Sequence, residues 1–256
     1  MSNFWKTFQY TAISIGAIWS LLLAVWAVNE YKLSSRRKNP SHNVVAIAQV
    51  CTEGERLQTV HLAGLLGLSQ DAPSNLFSLD FRALEKKLFS CPVIKSASVR
   101  PLVPSLVHIE YATRIPVASV ADYADTAVDN EGVLFPLYPF FSAKRLPQLH
   151  LGSVQDITWG KLSLPELALG LEILEYCKKD NLTSIDTRNA YASGGRREIV
   201  LNVEGKLIRI NTASWREEIA LFFKALPVIE KQTGMKKSTI VDMRNAGIIL
   251  IKQEVV

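Results

Sequence analysis

The chain has 256 residues, 48% hydrophobic and 21% charged, with a net charge of +5, three cysteines and four histidines. Residues 1–40 carry Lys6, Lys32, Arg36, Arg37 and Lys38 against Glu30, which leaves only +1 for residues 41–256 and excludes a nucleic-acid binder, since no basic stripe remains on the folded part. Cys51, Cys91 and Cys177 include no CxxC pair and exclude a disulfide scaffold, leaving either buried free thiols or a single Cys51–Cys91 bridge.

The stretch from Thr11 to Val28 holds eighteen residues without a charge. As a helix it would be roughly 27 Å long, near the thickness of a hydrocarbon core, so the pattern predicts a transmembrane helix over 11–28. Residues 1–10 then form a cytoplasmic tail and 29–43 a linker. A cleaved secretory signal, cut after Ala27, is the alternative; the apolar run exceeds the usual h-region of about 7–15 residues. Both readings carry the rest of the chain across a membrane. The flanking charges oppose that orientation, because basic residues concentrate after the span rather than before it. Arg36, Arg37 and Lys38 read as contacts to anionic headgroups or as a solvated linker.

Residues 44–116 mix strands and helices. Val44 to Val50 is a β-branched strand, and Leu57 to Leu66 a helix with Val60, Ala63 and Leu66 on one face. Asp80 caps a second helix, with Phe81, Leu84, Leu88 and Phe89 on its apolar face, ending at Cys91-Pro92. Two strands follow, Ile94 to Pro101 and Ser105 to Ile115, around a turn at Val103-Pro104. The order is β-α-α-β-β.

Residues 117–256 are richer in strands. Asp129-Asn130-Glu131-Gly132, Glu204-Gly205 and Asn245-Ala246-Gly247 each separate two short β-rich runs and predict three hairpins. Two helices interrupt them, opened by capping boxes at Ser163 with Glu166 and Ser214 with Glu217. Leu167, Leu171 and Leu174 in one, and Ile219, Phe222, Phe223 and Leu226 in the other, fit packing against one side of a sheet.

Chemistry is not written in the chain. GxSxG, GxGxxG and GxxxxGK are absent, and Ser35-Arg36-Arg37-Lys38 matches bare SxxK only in the polar linker. His42, His61, His108 and His150 have no ligand-like spacing, so no metal and no cofactor are expected. Asn181-Leu182-Thr183 is a formal glycosylation sequon, relevant only on a eukaryotic secretory route. The expectation is a binding surface rather than an enzyme.

Four spaced runs carry a family resemblance: Asn75-Leu76-Phe77-Ser78-Leu79-Asp80, then Cys91-Pro92-Val93-Ile94-Lys95-Ser96-Ala97-Ser98-Val99-Arg100, then Pro104-Ser105-Leu106-Val107-His108-Ile109, and Arg114-Ile115-Pro116-Val117-Ala118. Together they resemble the POTRA domain of the bacterial division proteins FtsQ and DivIB. Val128-Asp129-Asn130-Glu131-Gly132-Val133-Leu134-Phe135, Leu146-Pro147 and Val241-Asp242-Met243-Arg244 look like words of the domain that follows it there. The fold class expected is α+β: an N-terminal transmembrane helix, a POTRA domain over 44–116 (β-α-α-β-β), and a strand-rich FtsQ-type domain over 117–256 with helices on one side of a sheet.

The resemblance implies a non-enzymatic divisome protein of the bacterial cytoplasmic membrane, with its N-terminus cytoplasmic and its domains extracytoplasmic, acting at the division septum. It implies partners of the FtsB and FtsL kind and a part in controlling septal peptidoglycan synthesis. A terminal strand at a sheet edge exposes unpaired N–H and C=O groups to which another chain can add a strand; Met243, Arg244, Ile248 and Leu250 are expected to border that edge. The family commonly has an aromatic after its final Asp-x-Arg, where this chain has Asn245. Two alternatives stand: a POTRA-containing assembly or secretion factor receiving substrate by strand addition, and an anchored or secreted enzyme with a dispersed site.

Overall fold

A computed structural model describes residues 2–69, 71–142, 144–152, 159–177, 181–194, 197–233, 239–245 and 247–253; the side chains of residues 2–15, 17, 232, 233 and 253 fall outside that description. Contacts divide the chain into two compact units, one of residues 1–52, 58–91 and 96–112, the other of 53–57, 92–95 and 113–256.

The first element corrects the sequence. Helix α1 runs from Ser2 to Lys38, through the apolar stretch and the first ten residues of the expected linker. Among the described residues no helix is long and apolar enough to cross a membrane, so the transmembrane helix expected over 11–28 is not supported. The side chains of residues 11–15 and 17 lie outside the described residues. The two arginines at the C-terminal end of α1 do not hang free. The Arg36 guanidinium lies 5.2 Å from the centroid of the Phe77 ring, and Arg37 Nε donates to the Phe77 carbonyl at 3.3 Å. Asn75 Nδ2 donates to the carbonyls of Arg36 and Asn39 at 3.2 and 3.1 Å, capping the end of the helix from outside. His42 completes the clamp, edge-on to Phe77.

After α1 come β1 (Ala46–Glu53), α2 (Thr59–Leu66), α3 (Phe81–Phe89), β2 (Ile94–Leu102) and β3 (Leu106–Thr113), with the three strands in the order β1-β3-β2. Leu62, Leu66, Leu76, Leu84, Leu88, Val99, Val107 and Ile109 are buried. Asp80 caps α3 as expected, its Oδ1 accepting from the N–H groups of Arg82 and Ala83 at 3.0 and 3.2 Å. Two apolar assignments move. Leu62 and Leu66, one turn apart, form the buried stripe of α2, and Val60 is exposed. In α3 the pair Leu84 and Leu88 does the same, and Phe89, at the last helical position, faces solvent.

The second unit continues with β4 (Ala118–Val120), β5 (Thr126–Val128), β6 (Val133–Pro136), β7 (Gln148–His150), β8 (Gly160–Lys161), α4 (Pro165–Tyr176), β9 (Leu182–Asp186), β10 (Glu198–Val203), β11 (Lys206–Asn211), α5 (Trp215–Thr233), β12 (Thr239–Asn245) and β13 (Ile248–Gln253). The strands form one mixed sheet of order β13-β12-β11-β10-β9-β7-β4-β5-β6-β8. The chain is thus α+β. β5 with β6, β10 with β11 and β12 with β13 are antiparallel neighbours, as the turn signals require; Ala246, within the last turn, lies outside the described residues. Both helices join one core with the sheet, including Leu167, Ile173, Ile185, Ile199, Ile208, Trp215, Ile219, Phe222 and Val241. The helix α4 can lie close because Gly170 has no Cβ: one added there would stand 2.4 Å from Leu149 Cδ1 of β7.

The capping boxes are revised. α4 starts at Pro165 with Leu164 as its uncapped N-cap, since proline at the first helical position needs no acceptor for an N–H. At α5 Ser214 Oγ bonds Glu218 Oε1 at 2.6 Å rather than Glu217, and Glu218 Oε2 accepts from the Asn211 N–H at 2.8 Å.

Asp129, 3% exposed, organises the β5–β6 turn. Its Oδ1 accepts from the N–H groups of Glu131 and Val133, both at 2.9 Å, and its Oδ2 from Arg114 Nη1 at 2.6 Å. Arg114 Nε donates to the Pro92 carbonyl at 3.1 Å. Replacing one member of a shielded pair strands the other, so Asp129→Ala should cost about 3 kcal/mol of unfolding free energy in urea denaturation. A loss under about 1 kcal/mol would show that the turn holds without its carboxylate.

A candidate protein-docking edge

Strand β13 ends the ten-stranded sheet on one side. β12 lies between β11, with which it runs parallel from Lys206↔Thr239 to Arg209↔Asp242, and β13, with which it runs antiparallel. In the latter ladder Asp242 faces Leu250 and Asn245 faces Ile248, so three steps along β12 match two along β13. This is a β-bulge, and such a bulge increases local twist at a sheet margin. No strand among the described residues pairs with the outer side of β13.

The four residues expected to border the edge divide between two surroundings. Met243 is buried and shares the core face with Val241. Arg244 is 10% exposed and fully engaged: Nε donates to Asp242 Oδ1 at 2.8 Å, Nη2 to Asp242 Oδ2 at 2.5 Å and Nη1 to Glu198 Oε2 at 2.5 Å. Arg209 Nη2 reaches the same Glu198 oxygen at 2.7 Å. Ile248 and Leu250, 56% and 51% exposed, are the two that face outward on β13.

Glu198 and Arg209 were not singled out by sequence reasoning. The alternation of each strand places them on its polar face, but their approach to Arg244 depends on β10, β11 and β12 being neighbours, and the parallel pairing of β11 with β12 leaves no local mark. The Arg244 guanidinium holds the Asp242 carboxyl, against the upward push of burial, down at about 2, and Asp242 in turn raises Arg244. Arg197, Asn211, Arg244 and Asn245 line a cleft of about 260 Å³ beside this cluster. A larger open cleft, about 790 Å³, runs along α4 and is lined by Val117, Leu171, Leu174, Cys177 and Leu182 among others. Among the described residues no group of three or more His, Cys, Asp or Glu side chains is placed to hold a metal ion. Cys51, Cys91 and Cys177 are not joined in a disulfide.

No model of a known protein family matches the chain, and none of the curated proteins compared with it matches either. The functional reading rests on the edge.

The ion pair also sets a pH dependence. Asp242 has a carboxyl depressed from 3.8 to about 2, so its contribution to stability is present in full above about pH 4 and disappears as pH falls toward 2. Asp242→Asn should therefore be less stable than the parent at pH 7, with the gap closing between pH 4 and 2, as read from urea midpoints across that range. A gap independent of pH would separate the stability of the bulge from the charge on Asp242.

Proposed function

We propose that this protein is a non-enzymatic, FtsQ-like component of the bacterial division machinery, and that its outer β13 edge receives an extended segment of a small division protein of the FtsB kind, with an FtsL-like chain in the same complex. The observation that carries the reading is the outer side of β13, six residues long, which no strand among the described residues pairs and on which Ile248 and Leu250 are exposed. Main-chain hydrogen bonds to such an edge supply affinity and alternate side chains supply selectivity. The β-α-α-β-β order of the first unit and the Asp-x-Arg word in β12 agree with the family that the sequence resembles. The proposed site of action is the extracytoplasmic face of the cytoplasmic membrane at the septum, where docking would help to control septal peptidoglycan synthesis.

Neighbouring residues on an edge strand point their N–H groups alternately inward and outward. One of Ile248→Pro and Ile249→Pro therefore removes an outward donor while leaving the β12 ladder intact. That variant should keep the parent's thermal unfolding curve and lose capture of the FtsB-like chain by a photocrosslinking residue at Leu250. Undiminished capture by both folded variants would overturn strand addition at β13. Capture of unfolded outer-membrane proteins instead would move the chain to the assembly-factor class.

A further inference from the structure

Helix α5 presents more apolar surface than its core requires. Trp215, Ile219, Phe222 and Ile229 are buried against the sheet. Arg216, on one flank, pairs with Glu172 of α4 and stacks over the Trp215 ring, while Tyr176 of α4 meets that ring edge-on. This flank therefore faces α4. α4 packs on β9, and α5 on β11 and β12. Because the strands run β9-β10-β11-β12-β13, the opposite flank of α5 faces β13 and the space beyond it.

On that opposite flank Leu221 and Val228, 43% and 58% exposed, stand seven residues apart with half-buried Ala225 between them, a single i, i+4, i+7 stripe. Ile249 and Ile251 of β13 point to the same side of the sheet and pack on the core edge. Two lysines flank this shelf, Lys224 and Lys231 on α5, each three residues after a stripe position; Lys252 of β13, in step with Ile248 and Leu250, belongs to the other face of the sheet. Lys224 and Lys231 are both exposed, and among the described residues neither forms an ion pair, whereas the arginines of the polar face are neutralised by Asp242 and Glu198. Glu217 and Glu218 precede Leu221 by four and three residues, and Glu218 is engaged by Ser214 and the Asn211 N–H.

We infer that a strand added to β13 is read on its helix side by this shelf, which takes an extended, acidic segment of the partner protein whose inward-facing side chains are apolar. The inference rests on the proposed edge and adds its selectivity. Apolar side chains of the incoming strand fill the space between Ile249, Ile251 and the Leu221–Val228 stripe, where α5 shields them from water on one side. Acidic side chains flanking them answer Lys224 and Lys231. The outward face of the same strand lies beside Ile248 and Leu250, which alone would accept many sequences.

The test measures binding of the full chain to the purified extracytoplasmic segment of the FtsB-like protein from the same organism, by fluorescence anisotropy at low and high salt. Val228→Glu should weaken binding about tenfold or more, and Val228→Ile should not. The double variant Lys224→Glu with Lys231→Glu should weaken it comparably and flatten its salt dependence. All these positions are exposed, so unfolding curves should stay those of the parent. If Val228→Glu or the double variant binds within about twofold of the parent while Ile249→Pro or Ile248→Pro abolishes binding, the shelf is overturned and the edge stands. If the proline variants also bind normally, the edge fails and the shelf with it.

Discussion

Two neighbouring strands that run parallel cannot be joined by a tight turn, and β11 and β12 run parallel. The connection must travel the length of the sheet and return, and α5 makes that journey with its buried stripe laid over the strands it joins. β12 consequently enters beside β11 rather than beside another hairpin, and the antiparallel turn to β13 can only extend the sheet outward. The position of the last strand is thus a product of topology, and the side of it that no described strand pairs is what that topology leaves over. The same crossover lays a helix beside the edge, so anything that docks there meets a wall as well as a ladder.

Charge on the sheet's polar face is arranged to be consumed internally. Arg244 and Arg209 converge on Glu198, and Asp242 holds Arg244 from the adjacent turn of the bulge. Two cations and two anions cancel across three strands, and their hydrogen bonds fix the twist of β12 where it hands over to β13. Lys206 behaves similarly in the interior, nearly buried and paired with Glu230 near the end of α5 at 3.1 Å. Among the described residues, buried side-chain nitrogen and oxygen atoms all have hydrogen-bond partners.

What the sequence displayed was local. Asp80 ahead of an apolar stripe and Asp-Asn-Glu-Gly between two β-branched runs have their consequences within a few residues, and the structure follows them. Reading failed where the decisive neighbour was distant or where two local signals competed. Val60 fits a helical stripe as well as Leu62 does, and only the packing partner chooses between them. Ser163 competed with Pro165 for the start of α4 and lost, because proline fixes the first helical turn by itself. The polar run 29–38 looked like a tether since nothing nearby explains its charges; Phe77, some forty residues away, supplies the reason. The Glu198–Arg244 contact is of the same kind, invisible until the order of the strands is known.

The Phe77 clamp has a mechanical side. A helix of 37 residues is about 55 Å long and resists bending over that distance. Had its end joined the folded unit through a slack tether, motion at the far end would die out in rotation about single bonds. Instead Asn75 grips its last carbonyls while Arg36 and Arg37 grip Phe77 from neighbouring positions around the axis. Contacts spread around a rod oppose twisting as well as tilting. A turn of α1 about its own axis would therefore be delivered as torque to the unit that carries Asn75 and Phe77.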